Sequence, residues 1–335
     1  MEKLKLAIVG CGAISELFHI PAALKSKDVE LVAVVDKDLK RAEFIAKKFS
    51  INIFSSDYSD IFNSFEAAVI AVPNVYHAPI ATTLLKNGKH CLVEKPFALT
   101  AEEAENMIAE SKLNRVILGA ANVRRFYPEN TFVKTIIKNK LFGNLRSITI
   151  QEGYRFEWPM ASDSFLRKDI VGGGVLVDIG VHVIDLIHMW VDDLQFISYF
   201  DDAKGGLEND CKINLSSEGV NVEVELSRQR NLGNKIELEF DDALVSLGTE
   251  LNSSLKIRYN HAPENLIDLK IINDSNREKD FSEIIQKQLE DFVASVKQNR
   301  DTFVTGSDAL KAIKTVEECY GNRQELLQHW EEFQC

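Results

Sequence analysis

Lys95 is the first residue whose type and setting point to chemistry. It follows the apolar run Cys91-Leu92-Val93 and stands between Glu94 and Pro96. A lysine delivered from a buried strand is open to a lowered pKa through desolvation, and it can donate a proton or a hydrogen bond to a substrate oxygen. A surface lysine paired with Glu94 fits the same spacing. The second set is Asp178, His182 and Asp185, which follow Gly172-Gly173-Gly174 at i, i+4 and i+7 of an apolar run. On a helix they make a polar stripe, and ionisable groups on such a face are costly unless they pair with each other or with a ligand. A carboxylate beside an imidazole raises the histidine pKa and orients the ring for proton transfer near neutrality. A structural Asp–His hydrogen bond or a metal would satisfy the same stripe. No second His/Cys cluster stands at ligand spacing, so no metal is expected.

The third set is Gly10-Cys11-Gly12-Ala13-Ile14-Ser15, directly after the apolar run Leu4–Val9. In a dinucleotide fingerprint Gly10 permits the tight turn, Gly12 lets the backbone approach a pyrophosphate, and a small Ser15 allows close helix–strand packing. The helix that follows offers free N–H groups and a positive dipole end. Asp36 stands about 20 residues further on, where a carboxylate accepts the ribose hydroxyls and repels a 2′-phosphate. NAD is therefore the expected cofactor, with NADP left possible by Lys37.

These residues need elements to hold them. Short β-branched runs at Leu4–Val9, Glu30–Val35, Ile51–Phe54, Ala67–Val72, His90–Val93 and Val116–Ala120 alternate with amphipathic stretches at Ala13–Lys25, Leu39–Phe49, Tyr76–Asn87 and Ala101–Leu113. Asn87-Gly88 is a helix stop and Thr100-x-x-Glu103 a capping box. The succession predicts a doubly wound parallel sheet of the Rossmann type. After Arg124 the rhythm changes. A helix is expected over Pro128–Asn139, a strand over Ser147–Gln151, and a long helix over Val175–Val191. Strands with period-2 alternation follow, Val222, Val224 and Leu226 on one side of one and Ile236, Leu238 and Phe240 on one side of another. Helices near Phe281–Gln298 and Ser307–Leu327 close the chain. The pattern predicts a second α+β domain with an open, mostly antiparallel sheet, and places the division near Asn122, giving 1–122 and 123–335.

At 335 residues the chain exceeds one hydrophobic core, and 45% hydrophobic with 27% charged residues is an ordinary globular mixture. A net charge of −12 argues against a nucleic-acid or anionic-membrane surface, so any phosphate must be held locally. The five cysteines are scattered, which fits a reducing cytoplasm rather than a disulfide framework. Lys3 and Lys5 before Leu6–Ile14 imitate a signal peptide, but Glu16 and His19 stand where a cleavage site would be. The run Val175–Val191 is interrupted by Asp178, His182, Asp185 and His188, so no membrane span is expected.

In this order the motifs resemble those of the Gfo/Idh/MocA family, the glucose-fructose oxidoreductase and inositol dehydrogenase group. The matching pieces are Gly10 to Ser15, Ala71-Val72-Pro73-Asn74 with His77, Glu94-Lys95-Pro96, Arg125-Phe126-Tyr127-Pro128, and Gly172-Gly173-Gly174 leading to Asp178 and His182. The resemblance implies a Rossmann domain, a C-terminal domain with an open sheet, and NAD(P)-linked oxidation or reduction of a carbohydrate or polyol. It implies that Lys95, Asp178 and His182 match the family's catalytic lysine and Asp/His pair. Val72, Pro73, Asn74, His77, Glu94 and Lys95 itself then join the cofactor residues. His182 is expected as the base in oxidation, Lys95 as the group that stabilises the alkoxide, and Asp178 as their support. Arg124, Arg125, Arg155, Arg167 and Lys168 flank the expected pocket and suit phosphate, which suggests a nucleotide-activated or phosphorylated sugar. Tyr154, Phe156 and Trp158 offer faces for a sugar or base. A free sugar or inositol is the alternative substrate, and a non-catalytic NAD(P)-binding regulator is the alternative from another class. The family also implies a homodimer or homotetramer through the second sheet, with Val222, Val224 and Leu226 buried either by a partner or by helices of the same chain.

Overall fold

A computed structural model describes residues 2–155, 167–271 and 280–327. The chain folds as two compact units. The first comprises residues 1–123 with the described parts of 159–172 and Asp280–Ile313; the second comprises the described parts of 124–158, Gly173–Lys279 and 314–335. The chain therefore returns to its first unit twice after the point near Asn122 where the rhythm of the sequence changes.

In the first unit, β1 (Leu4–Val9), β2 (Val29–Val35), β3 (Ile53–Ser55), β4 (Ala67–Ile70), β5 (His90–Val93) and β6 (Leu118–Ala120) form a parallel sheet. Its order is β3-β2-β1-β4-β5-β6, with the direction of winding reversing between β1 and β4. Such a switch point is where open α/β sheets bind ligands, beyond the carboxyl ends of the strands. The strands are mostly apolar because helices cover both faces, with charges such as Lys5 and Glu30 near their starts; every residue of β4 is buried. Helix starts are secured locally. The Asp38 carboxylate accepts from Lys40 N and Arg41 N to cap Leu39–Phe49, and Thr100 with Glu103 forms the expected capping box ahead of Ala101–Asn114.

In the second unit, β7 (Leu145–Gly153), β8 (Gln195–Asp201), β9 (Asp210–Ser217), β10 (Val220–Ser227), β11 (Lys235–Phe240), β12 (Ala243–Gly248), β13 (Leu255–Tyr259), β14 (Leu266–Leu269) and β15 (Arg323–Glu325) form a nine-stranded sheet in the order β14-β13-β12-β11-β7-β10-β9-β8-β15. Only β7 with β10 and β8 with β15 pair in parallel. The last helix ends at Gly321 rather than Leu327, because Arg323–Glu325 pairs with the edge of β8. Val222, Val224 and Leu226 are 1%, 3% and 0% exposed in the single chain. A Cβ at Gly180 would meet Leu226 Cδ1 at 2.9 Å, so the chain's own helical segment covers that face and a partner is not needed for it.

Both expected long helices open with a π-helical turn, Ser15–His19 before Ile20–Lys25 and Leu176–Gly180 before Val181–Trp190. The stretch Lys168–Trp190 is long and apolar enough to cross a membrane, yet 78% of its most apolar window is buried inside the fold, as in a core helix. Cys11, Cys91, Cys211 and Cys319 are buried free thiols.

Candidate active site

The cofactor end is assembled from the turns that follow β1, β2, β4 and β5. Gly10 has φ +100°, and a Cβ there would stand 2.1 Å from the Ala71 carbonyl oxygen, so the ends of β1 and β4 meet only because the residue is glycine. Gly12 is different. A Cβ there would have nothing within 4 Å, which leaves open space above the backbone where a pyrophosphate needs to come close. Ala13 and Ile14 are half-buried at the rim and Ser15 is fully buried beneath them. Asp36, just past β2, is pinned by two backbone donors, Cys11 N to Oδ2 at 2.9 Å and Asp38 N to Oδ1 at 3.0 Å. An open cradle at a helix start, with a fixed carboxylate at the next strand end, fits a dinucleotide.

The other residues expected at the cofactor hold loops. His77 is 1% exposed, with Nδ1 at 2.6 Å from Pro96 O and Nε2 at 2.8 Å from Val72 O. Burial pulls its pKa below the ordinary value despite both carbonyls, so the neutral ring donates to one of them at a time. It ties the turn after β4 to the turn after β5. Asn74 Nδ2 donates to Val171 O at 2.9 Å and so anchors the Lys168–Val171 turn, while Val72 and Pro73 line the end of β4. Glu94 is likewise a support. His19 Nε2 donates to its Oε1 at 2.7 Å and Lys95 N to its Oε2 at 3.0 Å. Burial pushes the Glu94 carboxyl up, but His19 and the Lys95 N–H outweigh that and hold it below the usual range. Glu94 is thus turned inward, with its two oxygens on His19 and the Lys95 N–H. Lys95 stands half-buried beyond the carboxyl end of β5, with its peptide to Pro96 cis.

In the second unit the polar stripe is divided among different partners. Asp178 Oδ2 lies 3.0 Å from Arg228 Nη2, with the two side chains 15% and 10% exposed. Asp185 instead accepts both arms of the Arg125 fork at 2.8 Å, with the arginine 5% and the aspartate 1% exposed. Arg125 is thus held in a buried ion pair with Asp185. Arg124 is committed to Glu152 at 2.7 and 2.6 Å, and Arg167 to Asp169 at 2.7 Å. His182 is half-buried one residue into Val181–Trp190. Tyr154 caps the end of β7, its N–H donating to Ser227 O at 3.2 Å. Burial, helped by the Asp178 charge, pushes its hydroxyl pKa up to about 12. Beside it opens a cleft of about 420 Å³ lined by Gly153, Tyr154, Arg155, Gln229, Asn231 and Asn234. Trp158 and Phe156 lie outside the described residues. Among the described residues no group of His, Cys, Asp and Glu is arranged to hold a metal ion.

The glycines ahead of this set are close-packed. A Cβ at Gly173 would stand 1.9 Å from Tyr320 Oη, and one at Gly174 would stand 1.9 Å from Glu208 O. Glu208, 2% exposed, holds the helix start: its Oε1 accepts from Gly174 N at 2.8 Å, Leu176 N at 3.0 Å and Tyr320 Oη at 2.8 Å. Sequence reasoning missed Glu208, Arg228 and the His19–Glu94 pair. Each contact joins residues far apart in the chain, so no local spacing announces it.

The fold agrees with comparison to known proteins. Residues 4–121 match the oxidoreductase family with an NAD-binding Rossmann fold, and residues 130–246 match the GFO/IDH/MocA C-terminal domain. The chain belongs to the Gfo/Idh/MocA oxidoreductases. It is 28% identical over 246 residues to the inositol 2-dehydrogenase of Rubrobacter xylanophilus, covering 68% of this chain and 70% of that one. It is 29% identical over 184 residues to the D-glucoside 3-dehydrogenase of Escherichia coli, spanning 54% of this chain and about half, 52%, of the relative. Among solved structures, the 3-ketoreductase KijD10 of Actinomadura kijaniata, in complex with NADP and TDP-benzene, superposes with a TM-score of 0.85 at 17% identity, covering 97% of this chain and 99% of that one.

Proposed function

We propose that the chain transfers a hydride reversibly between a nicotinamide dinucleotide and the secondary alcohol or ketone carbon of a nucleotide-activated or phosphorylated sugar. The observation that carries this reading is the placement of Lys95 beyond the carboxyl end of β5, in the sheet whose β1 and β2 ends hold the open glycine cradle and Asp36. The nicotinamide supplies or accepts the hydride. Lys95 donates a hydrogen bond to the substrate oxygen and stabilises the charge that develops on it. His182 takes the hydroxyl proton in oxidation and returns it in reduction. Asp178, held by Arg228, supports the pair electrostatically. Gly10, Gly12, Ala13, Ile14, Ser15 and Asp36 form the cofactor cradle, with Val72, Pro73 and Asn74 on its β4 side. In this reading residues 1–122 supply the cofactor domain and 123–335 the substrate domain.

The phosphate part of the substrate is supported by Tyr154 and Arg155 beside the polar cleft, since Arg155 has no ion pair among the described residues while Arg124 and Arg125 are both committed. The TDP group bound by KijD10 is chemistry of the same class. A free sugar or inositol is the second reading, favoured by the similarity to glucoside and inositol dehydrogenases. A homodimer or homotetramer through the second sheet would draw on apolar residues that its strands leave exposed, Ile197, Leu266 and Ile267 at 56%, 50% and 41%; a sizing measurement tests it.

The function is tested by following NAD(H) absorbance during incubation with a mixed library of nucleotide sugars, sugar phosphates, hexoses and inositols. Lys95→Ala is expected to bind NADH as the parent does and to lose about a hundredfold or more in turnover. Turnover at the parental rate would overturn the assignment.

A further inference from the structure

Both signs of charge meet at the adenosine end of the cradle. Cys11, the middle residue of the glycine turn, donates its N–H to Asp36 and accepts at its carbonyl from Arg41 Nε at 2.8 Å. A carboxylate suited to ribose hydroxyls and a guanidinium suited to a 2′-phosphate therefore flank a single residue. A second cation, Lys48, reaches the same place from the far end of Leu39–Phe49. Both cations are already occupied. Glu16, in the first turn after the cradle, pairs through Oε2 with Arg41 Nη2 and through Oε1 with Lys48 Nζ at 2.6 Å. Its side chain is 19% exposed, and the Lys48 and Arg41 hydrogen bonds hold its carboxyl below the usual range, so it is ionised at neutral pH.

We propose that Glu16 sets the cofactor preference of this chain, by holding Arg41 and Lys48 away from a 2′-phosphate so that the site takes NAD(H) over NADP(H). The proposal rests on the dinucleotide reading of the Gly10–Ser15 cradle. A 2′-phosphate would have to approach Asp36 while drawing Arg41 and Lys48 from Glu16, leaving a half-buried carboxylate without its partners, and that cost falls on NADP(H) alone. Ribose hydroxyls displace nothing.

The test is direct binding of NADH and NADPH, read by fluorescence titration on the protein without substrate. Wild type is expected to bind NADH more tightly. Glu16→Gln keeps the side-chain shape and removes the charge, so NADPH should bind about tenfold more tightly while NADH changes by less than about twofold, and the gain should shrink with added salt. Replacing Arg41 and Lys48 together by Ala in the Glu16→Gln background should abolish the gain. A wild-type preference for NADPH, an unchanged NADPH/NADH ratio in Glu16→Gln, or a gain that survives loss of both Arg41 and Lys48 would each overturn the proposal while leaving the cradle assignment standing. Binding of neither dinucleotide by the wild type would overturn the cradle assignment and the proposal with it.

Discussion

Gly10-Cys11-Gly12 in the first unit and Gly173-Gly174 in the second each lead into a π-helical turn, yet their glycines answer to different neighbours. Above Gly12 there is open space, and only Gly10 is required by the fold itself. Gly173 and Gly174 are pressed against Tyr320 and the Glu208 backbone, so the second turn is already filled by its own unit. The first turn is shaped to receive a ligand, and the second is shaped to fix the start of the element that carries Asp178 and His182. A run of glycines is thus informative about function only when what would occupy the missing Cβ is known.

Substitutions at matched positions separate the two roles. Gly174→Ala drives a Cβ into main chain that has no room to yield, and should destabilise the second unit by about 3 kcal/mol, seen as a lowered melting temperature. Gly12→Ala meets nothing in the protein and should leave stability within about 0.5 kcal/mol, while NADH affinity falls about tenfold. If Gly12→Ala destabilised as much as Gly174→Ala, the distinction between an open and a filled turn would fail.

A smaller effect is expected at the clamp behind the filled turn. Tyr320→Phe leaves the buried Glu208 carboxylate with its two backbone donors only, at a cost of about 1–2 kcal/mol. Any activity lost with it should be restored by conditions that restore helix order, and amide exchange at Gly174 and Leu176 would report the loosening directly. Unchanged protection there would show that Tyr320 does not hold the helix start.

The smallest effect concerns pH and belongs to the first unit. Burial lowers the pKa of both His77 and His90, and His90 Nδ1 accepts the Ile117 N–H at 2.8 Å, a bond the protonated ring cannot make. Folded pKa values below the ordinary 6.5 mean that the unfolded chain binds more protons on acidification. The contribution is complete above about pH 6.5 and fades as pH falls through the lowered values. Melting temperature should therefore drop modestly between pH 7 and 5, with exchange rising first at β5 and β6. A flat profile over that range would show that these histidines titrate normally.

Much of the first unit was legible in the residues. Its strands, the capping box at Thr100 and the carboxyl-end positions of the glycine turn, Asp36 and Lys95 follow from local periodicity and spacing. The second unit was less so. A β-strand such as Arg323–Glu325 has too few residues to show a period, and Arg125 looks like a phosphate ligand until Asp185 is seen in its fork. The stripe Asp178, His182 and Asp185 suggests one cluster, whereas Arg228 and Arg125 draw its two carboxylates to separate partners.

By itself the amino-acid sequence determined the class of each domain, the cofactor-binding turn, and the residue types available for proton and hydride chemistry. These depend on short-range geometry: a period of two or of 3.6 residues, a cap three residues away, a glycine where the chain must turn. Only the tertiary structure decided which charges remain for a ligand and which are spent internally. His77 and Glu94 became supports, Arg124 and Arg125 became ion pairs, and Glu16 came to hold Arg41 and Lys48. Pairing of charges depends on distances between elements, and the cost of burying an unpaired charge makes each such choice part of folding.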